Sequence, residues 1–283
     1  MLYLVAVSLI WAFSFGLIKG QLTTIDPSLV AALRLALAWL VFLPFARIKH
    51  CSYFTRALLL GIGAIQYGLM YTCYTAAFAY LQAYQVALFT IFTPIFVTIV
   101  NDLFSLRFHR RFFSMSLLAV AGTAIVLYRD FSTAEFHTGF LLLQGANLSF
   151  AFGQVAYCKL MRTRQLGDRN VFSLLYLGGF AATLPMLLHS GGWHDLSIIN
   201  AQQWFTLLYL GILASGICFF WWNYGARKVN AGVLAVSNNL KIPLAIGCSM
   251  LFFGERINVT QLLLGSAIIV LALLLNPGAK RAR

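Results

Sequence analysis

Acidic side chains are the scarcest chemistry in this chain: seven Asp and Glu stand among 283 residues. All of them, Asp26, Asp102, Asp130, Glu135, Asp168, Asp195 and Glu255, fall in connecting loops or at the ends of apolar runs, so no carboxylate pair is available for acid–base work inside those runs. Charged residues of both signs make up 10% of the chain, against about 25% in an ordinary soluble domain, which argues against a water-soluble enzyme. The five cysteines form neither a CxxC pair nor a disulfide framework. No Walker sequence GxxxxGK(S/T) and no HExxH occurs, and the histidines sit at run ends or in loops. Direct ATP drive and zinc hydrolysis therefore lack their residues, and no metal or cofactor is expected.

What the chain has in excess is apolar surface. Hydrophobic residues reach 61%, with 25 Phe, 12 Tyr and 6 Trp, more than one soluble core of this length can hide. Cutting at Pro, Gly and charge clusters leaves ten segments near the ~20 residues that cross a ~30 Å hydrocarbon core: 2–20, 28–46, 57–79, 83–103, 113–129, 138–159, 171–189, 204–226, 231–253 and 258–276. They are continuously apolar rather than alternating, which predicts helices and not a barrel. Met1 leads straight into the first run, with no basic segment before it and no small-residue cleavage site after it, so that run reads as a span rather than a removed signal. The longest connection, His189 to Gln203, is too short for a folded extramembrane domain. Function must then lie within the bundle.

The net charge of +13 comes from Lys and Arg set between the runs rather than gathered in a patch, so topology and not nucleic acid explains it. One alternating set of loops holds fifteen of the 20 Lys and Arg, among them Arg47, Arg56, Arg110, Arg162, Arg169, Arg227 and Arg281, while the other holds Lys19, Arg129 and Arg256. Positive charge marks the cytoplasmic side, which places both termini inside a bacterial inner membrane. Ten spans with both ends on one side invite an inverted duplication. Ala77-Phe78 through Leu81-Gln82-Ala83 aligns with Gly225-Ala226 through Val229-Asn230-Ala231 at an offset of 148, and Pro94 and Arg107 meet Pro243 and Arg256 at 149. Trp11-Ala12-Phe13 meets Phe150-Ala151-Phe152 at 139. The expected fold is an all-α membrane protein of ten transmembrane helices in two inverted five-helix repeats, residues 1–133 and 134–283. Such repeats suit alternating access in a secondary transporter.

Lys241 is the residue most out of place. Counted from Ala231 at ~1.5 Å per residue it lies ~15 Å deep, at the middle of the core, where a charge costs at least ~2.5 kcal/mol. A cavity-facing cation is one reading; a shifted span boundary or a lysine neutralised by burial is the other. No acid is placed to pair with it, so a substrate that brings its own carboxylate would suit it. The same absence argues against a carrier of cationic drugs. Arg34 lies ~9 Å below the outer surface, a depth from which it can snorkel to headgroups or pair with an outer-end acid such as Glu255; a direct substrate role is the alternative. Gln144, Asn147 and Gln154 share one face of the sixth span, Gln66, Tyr67, Tyr71 and Tyr74 one face of the third, and Trp11, Asn238 and Asn239 lie at similar depth. Amides and aromatics together fit a neutral ring with an acid tail, although helix–helix hydrogen bonding also explains buried amides. Pro94 and Pro243 are candidate hinges or passive kinks. Gly61-Ile62-Gly63 and Gly178-Gly179 permit close helix packing.

The Trp11-Ala12-Phe13 opening, Arg34, and Phe252-Phe253-Gly254-Glu255-Arg256 after a proline-containing span resemble the drug/metabolite transporter superfamily, EamA type. The first half departs from the motif, with Ser105-Leu106-Arg107 where Gly-Glu-Arg is expected. Phe42-Leu43-Pro44-Phe45, Leu88-Phe89-Thr90 with Thr93-Pro94, Trp222-Asn223-Tyr224-Gly225-Ala226, and Asn238-Asn239 with Pro243 are similar to the biotin-transporting branch of that superfamily. The resemblance implies uptake of biotin, whose carboxylate would meet Lys241. Lys241 itself is not general in the family, and export of amino acids or other metabolites is the alternative within it. A midplane lysine could also carry a Schiff base, as in a retinal protein; ten spans in duplicated halves count against that. Oligomeric state is not encoded here, since lipid-facing and partner-facing apolar surfaces look alike, and a homo-oligomer stays open.

Overall fold

A computed structural model describes residues 2–47, 49, 51–106, 134–164, 166–229 and 231–254. Among the described residues all regular structure is helical, in eight long rods and one short 3-10 helix, Gly192–Ser197. The rods are α1 (Leu2–Gln21), α2 (Pro27–Phe45), α3 (Tyr53–Tyr80), α4 (Ala83–Ser105), α5 (Ala134–Arg164), α6 (Asp168–Ser190), α7 (Ala201–Ala226) and α8 (Ala231–Phe253). Six of them, α1 to α4, α6 and α7, are long and apolar enough by composition to cross a membrane, and the chain is a multi-pass membrane protein. Eight of the expected spans thus have a helix; those expected at 113–129 and 258–276, with Arg107, Glu255 and Arg256, lie outside the described residues. α5 is longer than the 138–159 expected. Its 31 residues give ~46 Å at ~1.5 Å each, so the Glu135 end and the Arg162 and Arg164 end reach beyond a ~30 Å core, where their charges are hydrated.

Helix starts follow from capping chemistry. Asp26 accepts from the backbone N–H of Ser28 at 2.9 Å and of Leu29 at 3.2 Å, with Pro27 at the first helical position. Ser52 accepts from the Thr55 N–H at 3.2 Å to open α3. Asn200 and Gln203 form a reciprocal box at the start of α7, at 2.9 and 3.0 Å. The α1–α2 connection is tied to the α6–α7 connection and the start of α7, where the Asp26 N–H donates to Asp195 at 2.7 Å and Gln203 donates to the Gln21 carbonyl at 3.0 Å.

Most rod pairs map onto one another when α1 to α4 are exchanged for α5 to α8, although α1 also packs on α4 with no comparable α5–α8 contact among the described residues. α1 lies on α8 as α5 lies on α4, and α3 lies on α6 as α7 lies on α2, while α2–α6 and α4–α8 are direct pairs. Close approach of α3 and α6 depends on absent side chains. A Cβ on Gly63 would stand 1.9 Å from the Leu175 carbonyl oxygen, and one on Gly178 would stand 2.1 Å from that of Leu60. Gly61 meets nothing within 4 Å, so the packing role expected of that glycine pair belongs to Gly63 alone.

Gly63→Ala and Gly178→Ala are each expected to lower the unfolding temperature of the detergent-solubilised protein, since overpacking a tight contact costs about 1–3 kcal/mol. Gly61→Ala is expected to leave it unchanged or raise it slightly. Equal melting curves for all three would show that the helices do not meet through Gly63 and Gly178.

Candidate functional site

Three helices abandon ideal α geometry near their middles, and each departure leaves backbone carbonyls that hydrocarbon cannot satisfy. α3 and α7 each contain a wider π turn, at Ala64–Leu69 and Tyr209–Ile217. α4 tightens into a 3-10 turn at Thr90–Phe92 ahead of Pro94. There the Thr93 N–H bonds to Thr90 instead of Phe89, and Asn147 of α5 donates to the freed Phe89 carbonyl at 3.0 Å. Asn238 of α8 reaches the Thr90 carbonyl, which Pro94 cannot serve, at 3.4 Å. In α7, Trp11 Nε1 donates to the Ala214 carbonyl at 2.9 Å, and Tyr176 Oη is shared between the carbonyls of Ser215 and Gly216 at 2.8 and 2.7 Å.

Around these turns lies a cavity of about 70 Å³, lined by residues of seven rods. Trp11, Arg34, Tyr71, Tyr74, Asn147 and Lys241 line it, together with Ser14, Phe15, Met70, Thr90, Thr93, Ala146, Phe150 and Phe219. Its walls are aromatic: Trp11 stands 4.8 Å from Phe219 between ring centroids, and Tyr71 5.8 Å from Phe219. Arg34 and Lys241, both buried, face it. Lys241, 6% exposed, donates to Asn238 Oδ1 at 3.0 Å and stands 5.2 Å from the Trp11 ring centroid.

Arg34 corrects the snorkelling expected of it. It is 3% exposed and turned inward, with Nε donating to Ser215 Oγ at 3.2 Å and Nη2 to Tyr71 Oη at 2.9 Å. Its guanidinium lies 4.3 Å from the Tyr71 ring centroid. A depth argument places a residue along the span and says nothing of which way the helix is rotated, so the inward face was not legible from position alone. Neither Arg34 nor Lys241 pairs with a carboxylate among the described residues.

The remaining expected residues fall elsewhere. Gln66 donates to Asn223 Oδ1 at 3.3 Å, Asn223 donates to Tyr67 Oη at 2.7 Å, and Trp222 Nε1 donates to Gln154 at 2.9 Å. All five side chains are buried. Along α3, α5 and α7 these residues lie beyond the cavity toward the ends that carry Arg56, Arg164 and Arg227, so they form its floor on the basic side. Past the floor Arg227 Nη1 contacts both Asp168 oxygens, at 2.7 and 2.6 Å, and Tyr157 donates to Asp168 at 2.5 Å. Gln144 accepts from Asn147 at 3.3 Å, and Asn239 is buried with neither amide atom bonded. Asn223 was missed as a site residue. An amide inside the eighth span was the available signal, read only as part of a family motif. Among the described residues no three His, Cys, Asp or Glu side chains gather as a metal site.

Comparison with known proteins agrees with this architecture. The model of the EamA-like transporter family matches residues 1–128 and 137–276. A probable biotin transporter of Pseudomonas aeruginosa is 39% identical over 285 residues, covering 99% of both chains. The biotin transporters of Salmonella typhimurium and Escherichia coli K12 are 37% and 36% identical, each covering 96% of this chain and 91% of the relative. A crystal structure at 17% identity superposes with a TM-score of 0.67, over 98% of this chain and 95% of the other, and so shares its fold. With its helices, its buried cavity and these matches taken together, the chain belongs to the EamA-like transporter family of the drug/metabolite transporter superfamily and is a transporter, not an enzyme.

Proposed function

We propose that this protein is a secondary carrier that moves biotin, or a small carboxylate of similar shape, across the bacterial inner membrane by alternating access. The observation that carries the proposal is an aromatic cavity lined by two basic side chains, Arg34 and Lys241, with no carboxylate on either among the described residues. A buried unpaired charge costs several kcal/mol unless something compensates it, and an anionic substrate does so at the moment of binding. The names of the relatives supply the molecule. Biotin has a carboxylate for a cation, a ureido ring for hydrogen-bond donors, and an apolar body for Trp11, Tyr71, Tyr74, Phe150 and Phe219.

Alternating access follows from the proposed pair of inverted five-helix halves. Three features support that duplication beyond the two matched segments. The exchange symmetry of helix packing is the first. The π turns are the second: Ala64–Leu69 shifted by 148 residues falls within Tyr209–Ile217. Side chains repeat as well, since Ser8 donates to the Ser237 carbonyl at 2.8 Å as Asn147 donates to that of Phe89. In this reading the floor of Gln66, Tyr67, Gln154, Trp222 and Asn223 closes the cytoplasmic side, and Pro94 and Pro243 are where α4 and α8 bend when the closed side changes. The excess of basic loops puts both termini in the cytoplasm.

Labelled biotin offered to a biotin-auxotrophic bacterium lacking its own carrier is expected to accumulate saturably when this chain is expressed. Lys241→Ala is expected to reduce that uptake about tenfold or more at equal membrane abundance, since a charged hydrogen bond is worth about 1.5–3 kcal/mol. No uptake by well-expressed wild type sinks the biotin assignment, and depletion of preloaded substrate instead of accumulation marks an exporter. For topology, a fluorescent protein fused after Arg283 is expected to fold and glow, while alkaline phosphatase at the same place stays inactive; the reverse pattern would invert the assigned orientation.

A further inference from the structure

Arg34 is held far more firmly than an aromatic cavity requires. Ser215 Oγ has one proton, which it donates to the Leu210 carbonyl at 2.7 Å, five residues back, as the π turn permits. It must therefore accept from both Arg34 Nε and Tyr71 Oη, the latter at 2.8 Å. Tyr71 Oη in turn accepts from Arg34 Nη2. The three side chains close a ring in which every proton has one destination, with the Tyr71 ring also under the guanidinium. What remains over is the Nη1 group, which is buried without a partner, and the second proton of Nη2. Those two donors form the end of a planar fork, the shape that accepts a carboxylate in two parallel hydrogen bonds.

Lys241 is built differently. Its ammonium is a point charge on a flexible stem, held by one hydrogen bond to Asn238 and by the face of Trp11. It has donors to spare but no fixed direction, and it sits on α8 while Arg34 sits on α2.

We infer that the cavity has two poles with different tasks: Arg34, oriented by Tyr71 and Ser215, seats the substrate carboxylate, and Lys241 with Asn238 and Trp11 receives an uncharged hydrogen-bond-accepting group at the other end of the molecule. This rests on the carriage of a carboxylate proposed above and narrows it. The ligand class is a monocarboxylate whose far end is a carbonyl-bearing ring. Tyr71 and Ser215 are positioning residues, acting through the guanidinium.

The test is competition for uptake into proteoliposomes holding the full chain, with each acid set against its own methyl ester: biotin, desthiobiotin and lipoate. Wild type is expected to prefer acid over ester about 10- to 100-fold, the value of a paired charge in a dry site. Arg34→Gln is expected to bring that ratio to near unity, whereas Lys241→Gln weakens acid and ester together and keeps the ratio. The opposite assignment, with the ratio lost in Lys241→Gln and kept in Arg34→Gln, overturns the inference. Should Arg34→Gln fail to reach the membrane, Arg34→Lys keeps the charge without the fork and Tyr71→Phe keeps the fork without its orienting hydroxyl. Both are expected to lower the ratio, and wild-type ratios in both overturn the inference. A wild type that carries lipoate but not biotin refutes both the biotin assignment and the Lys241 pole, since the dithiolane ring of lipoate has no carbonyl to receive. A wild type that prefers no acid over its ester refutes the carboxylate seat itself.

Discussion

A backbone that crosses hydrocarbon has no water to fall back on, so each peptide group released from its helix must find another partner inside the protein. In this chain that rule decides which side chains sit at the centre. The π turn in α7 and the 3-10 turn in α4 release carbonyls at Ala214, Ser215, Gly216 and Phe89, and the donors that answer them are Trp11, Tyr176 and Asn147 from three other helices. Trp11 and Asn147 thereby tie the first four rods to the last four, and Tyr176 ties α6 to α7. The turns also open space, because a helix that widens or tightens cannot stack as closely as its neighbours do, and the cavity lies among those turns.

The same turns govern the electrostatics. Ser215 reaches the Leu210 carbonyl only across the longer step of a π turn, and with its proton spent there it offers Arg34 an acceptor. Arg34 is thereby held inward without a carboxylate partner among the described residues. Lys241 is kept by an amide and an indole. Among the described residues the lining holds two basic side chains and no acid, which would favour an anion over a cation as ligand.

Apolar run length and loop charge made the helices legible in advance. All eight described rods coincide with expected spans, with shifts at their ends where Pro, Ser and Asn caps replace hydropathy as the deciding factor. Lys241, Trp11, Tyr71, Tyr74 and Asn147 stood out because a polar or aromatic residue at mid-depth needs a reason. Rotation of a helix about its axis was not legible, which is why Arg34 was expected at the headgroups and why Gln66, Tyr67 and Gln154 were grouped with the cavity rather than with its floor. Nor could the π turns be foreseen. Residues such as Ala64-Ile65-Gln66 and Gly211-Ile212-Leu213 carry no local mark of a wider pitch, which is imposed by the helices packed around them.

The buried floor below the cavity has an electrical consequence. A stack of ring and amide side chains that excludes water concentrates the membrane voltage across itself, at about 2.3 kcal/mol per elementary charge per 100 mV. A bare anion driven inward through that stretch would climb against an inside-negative potential. One that rides on a guanidinium presents no net charge to the field. In the carriage proposed above, the voltage would then act not on the loaded step, which is neutral, but on the return of the empty, positively charged site, so a full cycle would still carry one negative charge across the membrane.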